Sequence, residues 1–388
     1  MTFVRRLFLI NTGWTLAMYL ASSFVGAWFW NIGTGLRPIL VFYATLFAVM
    51  VATFAVASRS RWFPSSALLL TLGIFLNALY LLLMLILRGE SRHVLVLLAL
   101  LDGASASFYW LSLFVLAATW VPAEHVAWYN SWTGTIEAIL GLTAPIVSGL
   151  VIHSFHHLIG YRLIFLAAFV ALMISAALSW SKGPPAAQQL VAIRQGSSSP
   201  AVGWGRLLWG FLFLGLRDGL YFFVPGLLLY IVTQNAVWLG VYNAWTAGLQ
   251  GLAFWLLTRP RLRQRVEWGL LGATALGLLG MFLWATPLSS WTIMALGAII
   301  SLSYPPFKVR LESDALTVIG TASHTYGDRA RLTSVKEVWI NVGRLVSLSL
   351  LILVLMLVPG PVPLRLMRWF LASWSVLPVA LYVILRGW

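Results

Sequence analysis

Long apolar segments recur along the whole chain and restrict its fold more than any other feature. Each segment holds about twenty residues or more with almost no charge, which is the length of a membrane-spanning helix. Only 9% of the 388 residues are charged, whereas a soluble domain carries about a quarter. Strands of an outer-membrane barrel would alternate polar and apolar residues over about half this length. The sequence therefore predicts an all-α integral membrane protein, with its backbone hydrogen bonds made within each helix.

The apolar segments predict twelve transmembrane spans. They lie at residues 8–30, 39–57, 65–87, 94–118, 131–153, 158–180, 205–231, 236–257, 267–286, 290–307, 333–357 and 366–386. Because the number of spans is even, both termini are expected on one side of the membrane. The first segment has no small-residue cleavage site, so it is predicted to be a retained helix and not a signal peptide.

The distribution of Lys and Arg predicts that both termini are cytoplasmic. With this orientation the cytoplasmic connections hold most of the positive charge, as they usually do in membrane proteins. The external connections then hold only Arg37, Arg88, Arg92, Arg162, Arg365 and Arg368. The net charge of +15 is therefore interpreted as basic residues that set the orientation in the membrane and contact anionic lipid headgroups, and not as a sign of nucleic-acid binding.

Two long connections organise the chain. Residues 181–204 are rich in Pro, Gly, Ser and Gln, a composition typical of a flexible linker. This linker separates a six-helix bundle at 1–180 from a second at 205–388. The other connection, 308–332, is charged and is predicted to lie outside the membrane, with room for a short surface helix. The segments YNSWTG (129–134) and YNAWTAG (242–248) are similar, and internal repeats are common in transporters.

This arrangement resembles the major facilitator superfamily. The basic segments SRSRWFP (58–64) and TRPRLRQR (258–265) correspond to the family's basic loops, although SRSRWFP lacks the glycine and aspartate of the family signature. GLTAPIVSG, with Gly141, Pro145 and Gly149, resembles the Gly/Pro-rich signature of the family's antiporters. The segments GLRDGLYFF and TASHTYGDRARLTSVKEVWINVGR are most similar to uncharacterised members from Gram-positive bacteria. The resemblance implies an alternating-access carrier in the bacterial inner membrane, without implying a substrate.

Several charged side chains lie inside the predicted spans. A charge near the bilayer centre costs about 2.5–3.5 kcal/mol on insertion scales, so it usually faces a bundle interior or water. The charged residues in question are Asp102, Glu137, Arg217, Asp218, Glu337 and Arg344. We predict that the four acidic residues carry protons or line a cavity. The two arginines are predicted to bind substrate or to form ion pairs, and a purely structural pair between Arg344 and Asp218 is the alternative.

Neutral polar residues lie on the same helical faces as these charged residues. Asp102 and Tyr109 share one face, and Glu337, Asn341 and Arg344 follow the spacing i, i+4, i+7. The substrate-binding candidates are Asn11, Tyr109, Asn243, Gln250 and Asn341. Together these faces predict a central hydrated cavity, and the alternative is that they are helix-packing contacts. Gly141, Pro145 and Gly149 are predicted to permit close packing or bending.

Catalysis and metal binding have little support in the sequence. The chain has no Cys, which excludes disulfides and thiolate ligands. His153, His156 and His157 have a metal-like spacing, but no carboxylate lies nearby and the group falls in an external loop, so a solvated loop end is favoured. We therefore predict no catalytic residue, no metal site and no cofactor.

The sequence as a whole favours a monomeric, proton-coupled exporter of an amphipathic or hydrophobic small molecule. Protonation of Asp102, Glu137 or Asp218 would change which face of the carrier is open. A flippase for lipid or lipid-linked sugar is the alternative, with Arg217 and Arg344 holding a phosphate headgroup. A membrane scaffold or sensor without transport activity is a third hypothesis. It predicts that the polar faces pair with one another and leave no cavity.

Overall fold

A computed structural model describes residues 3–59, 66–121, 123–155, 158–180, 203–259, 266–322, 326–357 and 364–386. These residues form α-helices and one short 3-10 helix at Arg88–Val94. The helices are α1 (Phe3–Asn31), α2 (Leu36–Arg59), α3 (Ser66–Leu87), α4 (Leu95–Trp120), α5 (Ala123–Ser154), α6 (Ile159–Ser179), α7 (Trp204–Tyr221), α8 (Val224–Thr233), α9 (Ala236–Leu257), α10 (Val266–Ala285), α11 (Ser290–Ala322), α12 (Tyr326–Met356), α13 (Leu364–Trp374) and α14 (Leu377–Leu385).

The all-helical prediction is confirmed for the described residues. Ten helical stretches among them are long and apolar enough to cross a membrane. One of the ten, Ser66–Ala117, has 52 residues and contains both α3 and α4. The helix α9, which corresponds to a predicted span, is not among the ten because Asn243 and Gln250 make it less apolar.

Two of the predicted continuous spans are interrupted. The segment 205–231 is divided into α7 and α8 at Phe222–Phe223, and 366–386 is divided into α13 and α14 at Ser375–Val376. Each second helix has a proline in its first turn, Pro225 in α8 and Pro378 in α14. Proline lacks a backbone N–H and its ring clashes with the preceding turn, so it begins a new helix instead of continuing the old one.

The segment 308–332, predicted as a charged connection with room for a short surface helix, is helical in its described part, where α11 continues to Ala322 and α12 begins at Tyr326. Several charged residues of this segment form ion pairs within or between the helices. Arg310 Nε lies 2.8 Å from Asp314 Oδ2 one turn later, and Lys336 Nζ lies 2.8 Å from Glu312 Oε2. Such pairs stabilise charged helical turns, so charge density is a poor indicator of a loop here.

The helices before and after the predicted linker are here called the N-terminal half (α1–α6) and the C-terminal half (α7–α14). The halves contact each other along two long helix pairs, α2 with α12 and α5 with α9. Small residues allow α5 and α9 to approach closely. A side chain on Gly149 would lie 2.7 Å from the carbonyl oxygen of Ala236, and one on Gly240 would overlap the carbonyl of Pro145.

Equivalent arginines fix the ends of both halves. Arg6 on α1 donates to the carbonyls of Leu178 (2.7 Å) and Ser179 (3.1 Å) at the end of α6. Arg206 on α7 donates to the carbonyls of Ile384 (2.5 Å) and Arg386 (2.7 Å) at the end of α14. In each half, the first helix thus satisfies carbonyl groups that a helix C-terminus leaves without partners.

The close contact between α5 and α9 predicts a steric effect of substitution. Replacing Gly149 with Leu should lower the melting temperature of the purified protein, because overpacking a tight contact costs about 1–3 kcal/mol. Gly134 lies on the same helix, and a side chain added there would meet no atom within 4 Å, so Gly134→Leu is the matched control. Equal melting temperatures for the two variants, measured by thermal unfolding in detergent, would contradict this packing.

Candidate functional site

The charged residues of the C-terminal half meet at Asp218 on α7. Arg217 Nη1 lies 3.4 Å from Asp218 Oδ1, and Arg344 Nη2 on α12 lies 3.7 Å from Asp218 Oδ2. The ion pair that the sequence predicts between Arg344 and Asp218 is therefore present. One carboxylate placed between two guanidinium groups leaves a net positive charge, which further acidic groups can compensate.

Arg217 is held firmly by the neighbouring helix α11. It is 2% exposed, and its Nη2 donates to the carbonyl of Ile300 at 2.6 Å and to Ser303 Oγ at 3.0 Å. Its guanidinium also lies 5.3 Å from the ring centroid of Tyr304. These contacts give Arg217 a structural function in positioning Asp218 and joining α7 to α11.

Arg344 faces the other half of the protein. Its guanidinium carbon lies 5.5 Å from the ring centroid of Phe47 on α2, and its Nη1 donates to Asn341 Oδ1 at 3.2 Å. Asn341 is fully buried and donates in turn to the carbonyl of Glu337 at 2.8 Å. Asn341 thus positions Arg344. Of the two guanidinium groups beside Asp218, that of Arg344 is the one that contacts the N-terminal half.

A chain of hydrogen bonds in the N-terminal half ends at Glu137. The hydroxyl of Tyr109 on α4 donates to Asn11 Oδ1 on α1 at 2.7 Å. The side chain of Asn11 is in turn hydrogen-bonded to Glu137 on α5. Tyr109 is buried against Trp14, with stacked rings 3.7 Å apart. Three of the predicted site residues, from three different helices, are therefore brought together at half-buried Glu137.

Lys308 on α11 lies within electrostatic range of acidic groups in both halves, although none of the ion pairs found within 4 Å in the described part of the chain involves it. It interacts electrostatically with Glu137 of the N-terminal half and with Asp218 and Glu312 of the C-terminal half, and it is hydrogen-bonded to Tyr304. Sequence reasoning misses this residue because the charges of 308–332 suggest a connection. The spacing of Phe307, Leu311 and the apolar residues after them, all buried on one side, is the signal that the helix continues.

Asp102 belongs to a separate group. Asn77 Nδ2 on α3 donates to Asp102 Oδ1 and to Ser105 Oγ, at 3.0 Å in each case. The alternative interpretation of Asp102, a hydrogen bond to a neighbouring helix, is therefore observed. Sequence reasoning misses Asn77, although an amide within the apolar sequence GIFLNALYLL is the available signal.

The other predicted polar residues have fewer contacts with the rest of the site. Glu337 Oε1 lies 3.4 Å from Lys336 Nζ, beside Glu312. Asn243 is half-buried on α9, and its Nδ2 has no hydrogen-bond partner among the described residues. Gln250, two turns further along α9, is also half-buried.

Gly141, Pro145 and Gly149 all face the C-terminal half. A side chain on Gly141 would lie 3.3 Å from Ala247 Cβ on α9 and 3.2 Å from the ring of Tyr19 on α1. Together with the contacts of Pro145 and Gly149 already described, this line of residues forms the packing surface between α5 and α9. The structure places them at a helix contact; their predicted part in bending stays a prediction.

The two halves are joined by hydrogen bonds at the end of the bundle that carries Asn31, here called the Asn31 end. Asn31 Nδ2 donates to the hydroxyls of Tyr161 (2.8 Å) and Tyr230 (2.6 Å), and these hydroxyls lie 3.1 Å apart. Nearby, the rings of Tyr43 and Phe223 stack across the halves at 3.8 Å. The two halves are therefore in direct contact at this end.

A cavity of about 500 Å³ lies outside this closure. Its wall includes Asn31, Tyr161, Tyr230, Gln234 and exposed His153. His156 and His157 lie outside the described residues, so their predicted position in a solvated loop stays a prediction. Neither this cavity nor a second one of about 10 Å³ beside Arg217 is lined by Glu137 or Asp218. The central hydrated cavity likewise stays a prediction.

Comparisons with known sequences identify relatives of unassigned function. No family model matches the chain. The uncharacterised protein YqgE of Bacillus subtilis (strain 168) is 26% identical in an alignment of 363 residues that covers 90% of this chain and 83% of YqgE. An uncharacterised protein from the sodM 3′ region of Geobacillus stearothermophilus is 28% identical over 162 residues, 42% of this chain and 75% of that protein.

Comparisons with solved structures define the class of fold. A bacterial homologue of the iron transporter ferroportin, in an inward-facing state, has a TM-score of 0.70 at 16% identity, covering 99% of this chain and 98% of the homologue. The nucleoside transporter NupG has a TM-score of 0.65 at 13% identity, covering 100% of both chains. The resemblance to the major facilitator superfamily is thus confirmed at the level of the fold. The protein has the multi-pass membrane fold of these transporters, and these neighbours are not enzymes.

The different surroundings of the two arginines predict different effects of substitution. Arg217→Met should destabilise the protein by about 3–5 kcal/mol, because it removes a buried guanidinium with its bonds to α11 and leaves half-buried Asp218 with a weaker partner. Arg344→Met, at a side chain that is 25% exposed, should cost about 1 kcal/mol. Thermal unfolding of both variants provides the measurement. A larger loss for Arg344→Met would contradict the structural function of Arg217.

Proposed function

We propose that this protein is a proton-coupled secondary transporter that works by alternating access and exports an amphipathic small molecule. The fold of the solved transporters supports alternating access. The observation that supports proton coupling is the position of Lys308, which interacts with Glu137 of one half and with Asp218 of the other. A cation shared between the halves makes their relative position depend on the charge of each carboxylate.

The proposed mechanism follows from that shared cation. An ionised Glu137 attracts Lys308 and holds the two halves together around it. When Glu137 binds a proton, the attraction is lost and Lys308 remains with Asp218 and Glu312 in its own half. A ligand shifts a conformational equilibrium only through different affinities for the two states. The proton meets this condition if Glu137 lies near Lys308 in one state and away from it in the other.

We further propose that the chain crosses the bacterial cell membrane twelve times as two six-helix halves, with both termini in the cytoplasm. In this orientation the Asn31 end is the outer end. Arg6, Arg206 and Arg386 then lie at the cytoplasmic end, in agreement with the positive-inside rule. The TM-score of 0.70 for the inward-facing ferroportin homologue, against 0.66 and 0.64 for its outward-facing structures, supports a state closed to the outside.

The side chains left for substrate are mainly neutral. Both acidic residues at the centre already interact with cations, whereas Asn243 has an amide nitrogen with no hydrogen-bond partner among the described residues, and Tyr19 faces the contact between α5 and α9. This environment favours a neutral or weakly charged substrate with an apolar part. One chain contains both halves of the pathway, so we propose a monomer as the working unit.

The lipid flippase has less support. It requires Arg217 and Arg344 to hold a phosphate headgroup. Arg217 is buried and makes hydrogen bonds to Ile300 and Ser303, so its guanidinium is already occupied. Arg344 alone would have to provide the headgroup contact.

Substitution of Glu137 tests the proton coupling. Everted membrane vesicles that contain the protein are energised, and a pH-sensitive dye reports proton movement after addition of amphipathic cations, sugars, nucleosides and metal salts. For any compound that the wild type moves, Glu137→Gln should abolish the proton movement, because the amide cannot gain or lose a proton. Exposed Glu267 provides the matched control, and Glu267→Gln should behave as wild type.

Unchanged proton movement in Glu137→Gln would exclude this residue as the proton site. Compound flux without any proton movement in the wild type would exclude proton coupling. Neither result would bear on alternating access, which the cross-linking experiment below tests separately.

Cross-linking tests alternating access and uses the absence of native cysteines. Cysteines at Asn31 and Tyr230 join the two halves through a short thiol cross-linker, and this should block transport by at least about tenfold. Cysteines at Asn31 and Tyr161 lie within the N-terminal half and form the matched control. The control pair should cross-link with little loss of transport. Equal activity of both cross-linked proteins would contradict a closure that must open at the Asn31 end.

A further inference from the structure

A second group of buried polar atoms lies in the N-terminal half, apart from the interactions of Glu137 and Lys308. It comprises Asn77 and Tyr80 on α3 and Asp102 and Ser105 on α4. Asn77 is 1% exposed and Tyr80 is 3% exposed. Polar atoms at this depth depend on the protein, on an ordered water or on a bound ligand for their hydrogen bonds.

The hydrogen bonds within this group use the donors of Asn77 and Ser105 and leave one amide oxygen and one hydroxyl without a partner. Asn77 Nδ2 donates to Asp102 Oδ1 and Ser105 Oγ, both at 3.0 Å. Ser105 Oγ donates to the carbonyl of Asp102 at 2.8 Å. Asn77 Oδ1 and Tyr80 Oη have no hydrogen-bond partner among the described residues. A buried polar atom without a hydrogen-bond partner is destabilising, so two of them in the neighbourhood of one carboxylate favour a site for a ligand that binds oxygen.

The position of the unpaired amide oxygen supports this interpretation. Asn77 Oδ1 and Nδ2 are attached to the same carbon, so the oxygen also borders the carboxyl group of Asp102. A half-turn of the amide exchanges the two atoms. Asn77 Oδ1 would then face Asp102 Oδ1 and Ser105 Oγ, and three oxygens would converge where two hydrogen bonds now lie. Tyr80, one turn after Asn77 and electrostatically close to Asp102, has a further oxygen available.

The charge of the group selects the class of ligand. Asp102 contributes one negative charge, and none of the ion pairs found in the described part of the chain involves it. A monovalent cation neutralises this charge in a buried site. A divalent cation such as Ca²⁺ takes about six to eight oxygens, usually with several carboxylates, which this group does not provide.

We propose that Asp102, Asn77, Ser105 and Tyr80 form a sodium-binding site between α3 and α4. The site goes beyond the proposed function, because none of its residues takes part in the contacts of Glu137 or Lys308 described above. Bound Na⁺ replaces the donor hydrogens of Asn77 as the partner of the carboxylate and joins α3 to α4. The N-terminal half is then more stable with sodium bound than without it.

Thermal unfolding of the purified full-length protein tests the site. Melting temperatures are compared in NaCl, KCl and choline chloride at equal ionic strength and pH. Sodium should raise the melting temperature by at least about 3 °C relative to choline, with saturation as its concentration increases, because a ligand that binds only the folded state stabilises it. Asp102→Asn should lose this increase, and Tyr80→Phe should need a higher sodium concentration to reach it.

Two further measurements keep the test decisive. Glu137→Gln should retain the full response to sodium, so failure of proton coupling at Glu137 is separated from failure of this site. If Asp102→Asn does not fold, binding of radioactive ²²Na⁺ to the wild type and to Ser105→Ala replaces it, and Ser105→Ala should bind several-fold more weakly. Equal melting temperatures in all three salts, or a sodium response unchanged in Asp102→Asn and Tyr80→Phe, would overturn the proposal. Stabilisation by low pH alone would also overturn it, because a proton would then be the ligand.

Discussion

The central interaction in this structure is the compensation of charges that lie deep between apolar helices. An unpaired charge in such surroundings is expensive, so each charged group restricts where the helices beside it can lie. Asp218 pairs with Arg217 of its own helix and with Arg344 of α12, and Lys308 on α11 lies within electrostatic range of Glu137 on α5. Most remaining contacts are apolar and non-directional, and these charged groups provide the directional part of the arrangement.

The sequence predicts much of this arrangement because apolar length and charge are read directly from residues. The pair between Asp218 and Arg344 follows from their similar depth in their spans. Lys308 escapes prediction because a run of charged residues resembles a loop, whereas ion pairs such as Arg310 with Asp314 keep that run helical. The link from Tyr109 through Asn11 to Glu137 depends on which faces of three helices meet, and no single helix contains that information.

The internal repeat is clearer in the structure than in the sequence. Arg6 and Arg206 occupy equivalent positions at the start of α1 and α7 and bind the last carbonyls of α6 and α14. The two matching segments at 129–134 and 242–248 lie instead on α5 and α9, which pack against each other across the halves. The two similar segments therefore lie on helices that face each other across the halves. The equivalent contacts of Arg6 and Arg206 are made within each half, by residues whose flanking sequences differ.

The glycine contact between α5 and α9 has a consequence for movement. At Gly149 and Gly240 one backbone rests directly on the other, with no side chain that could change its rotamer to absorb a displacement. Sliding of one helix along the other would bring larger residues into this narrow place, whereas tilting about it keeps the small residues in register. In the proposed transport cycle this contact would be the pivot, and because it lies near one end, a small angular change there would become a larger separation at the other.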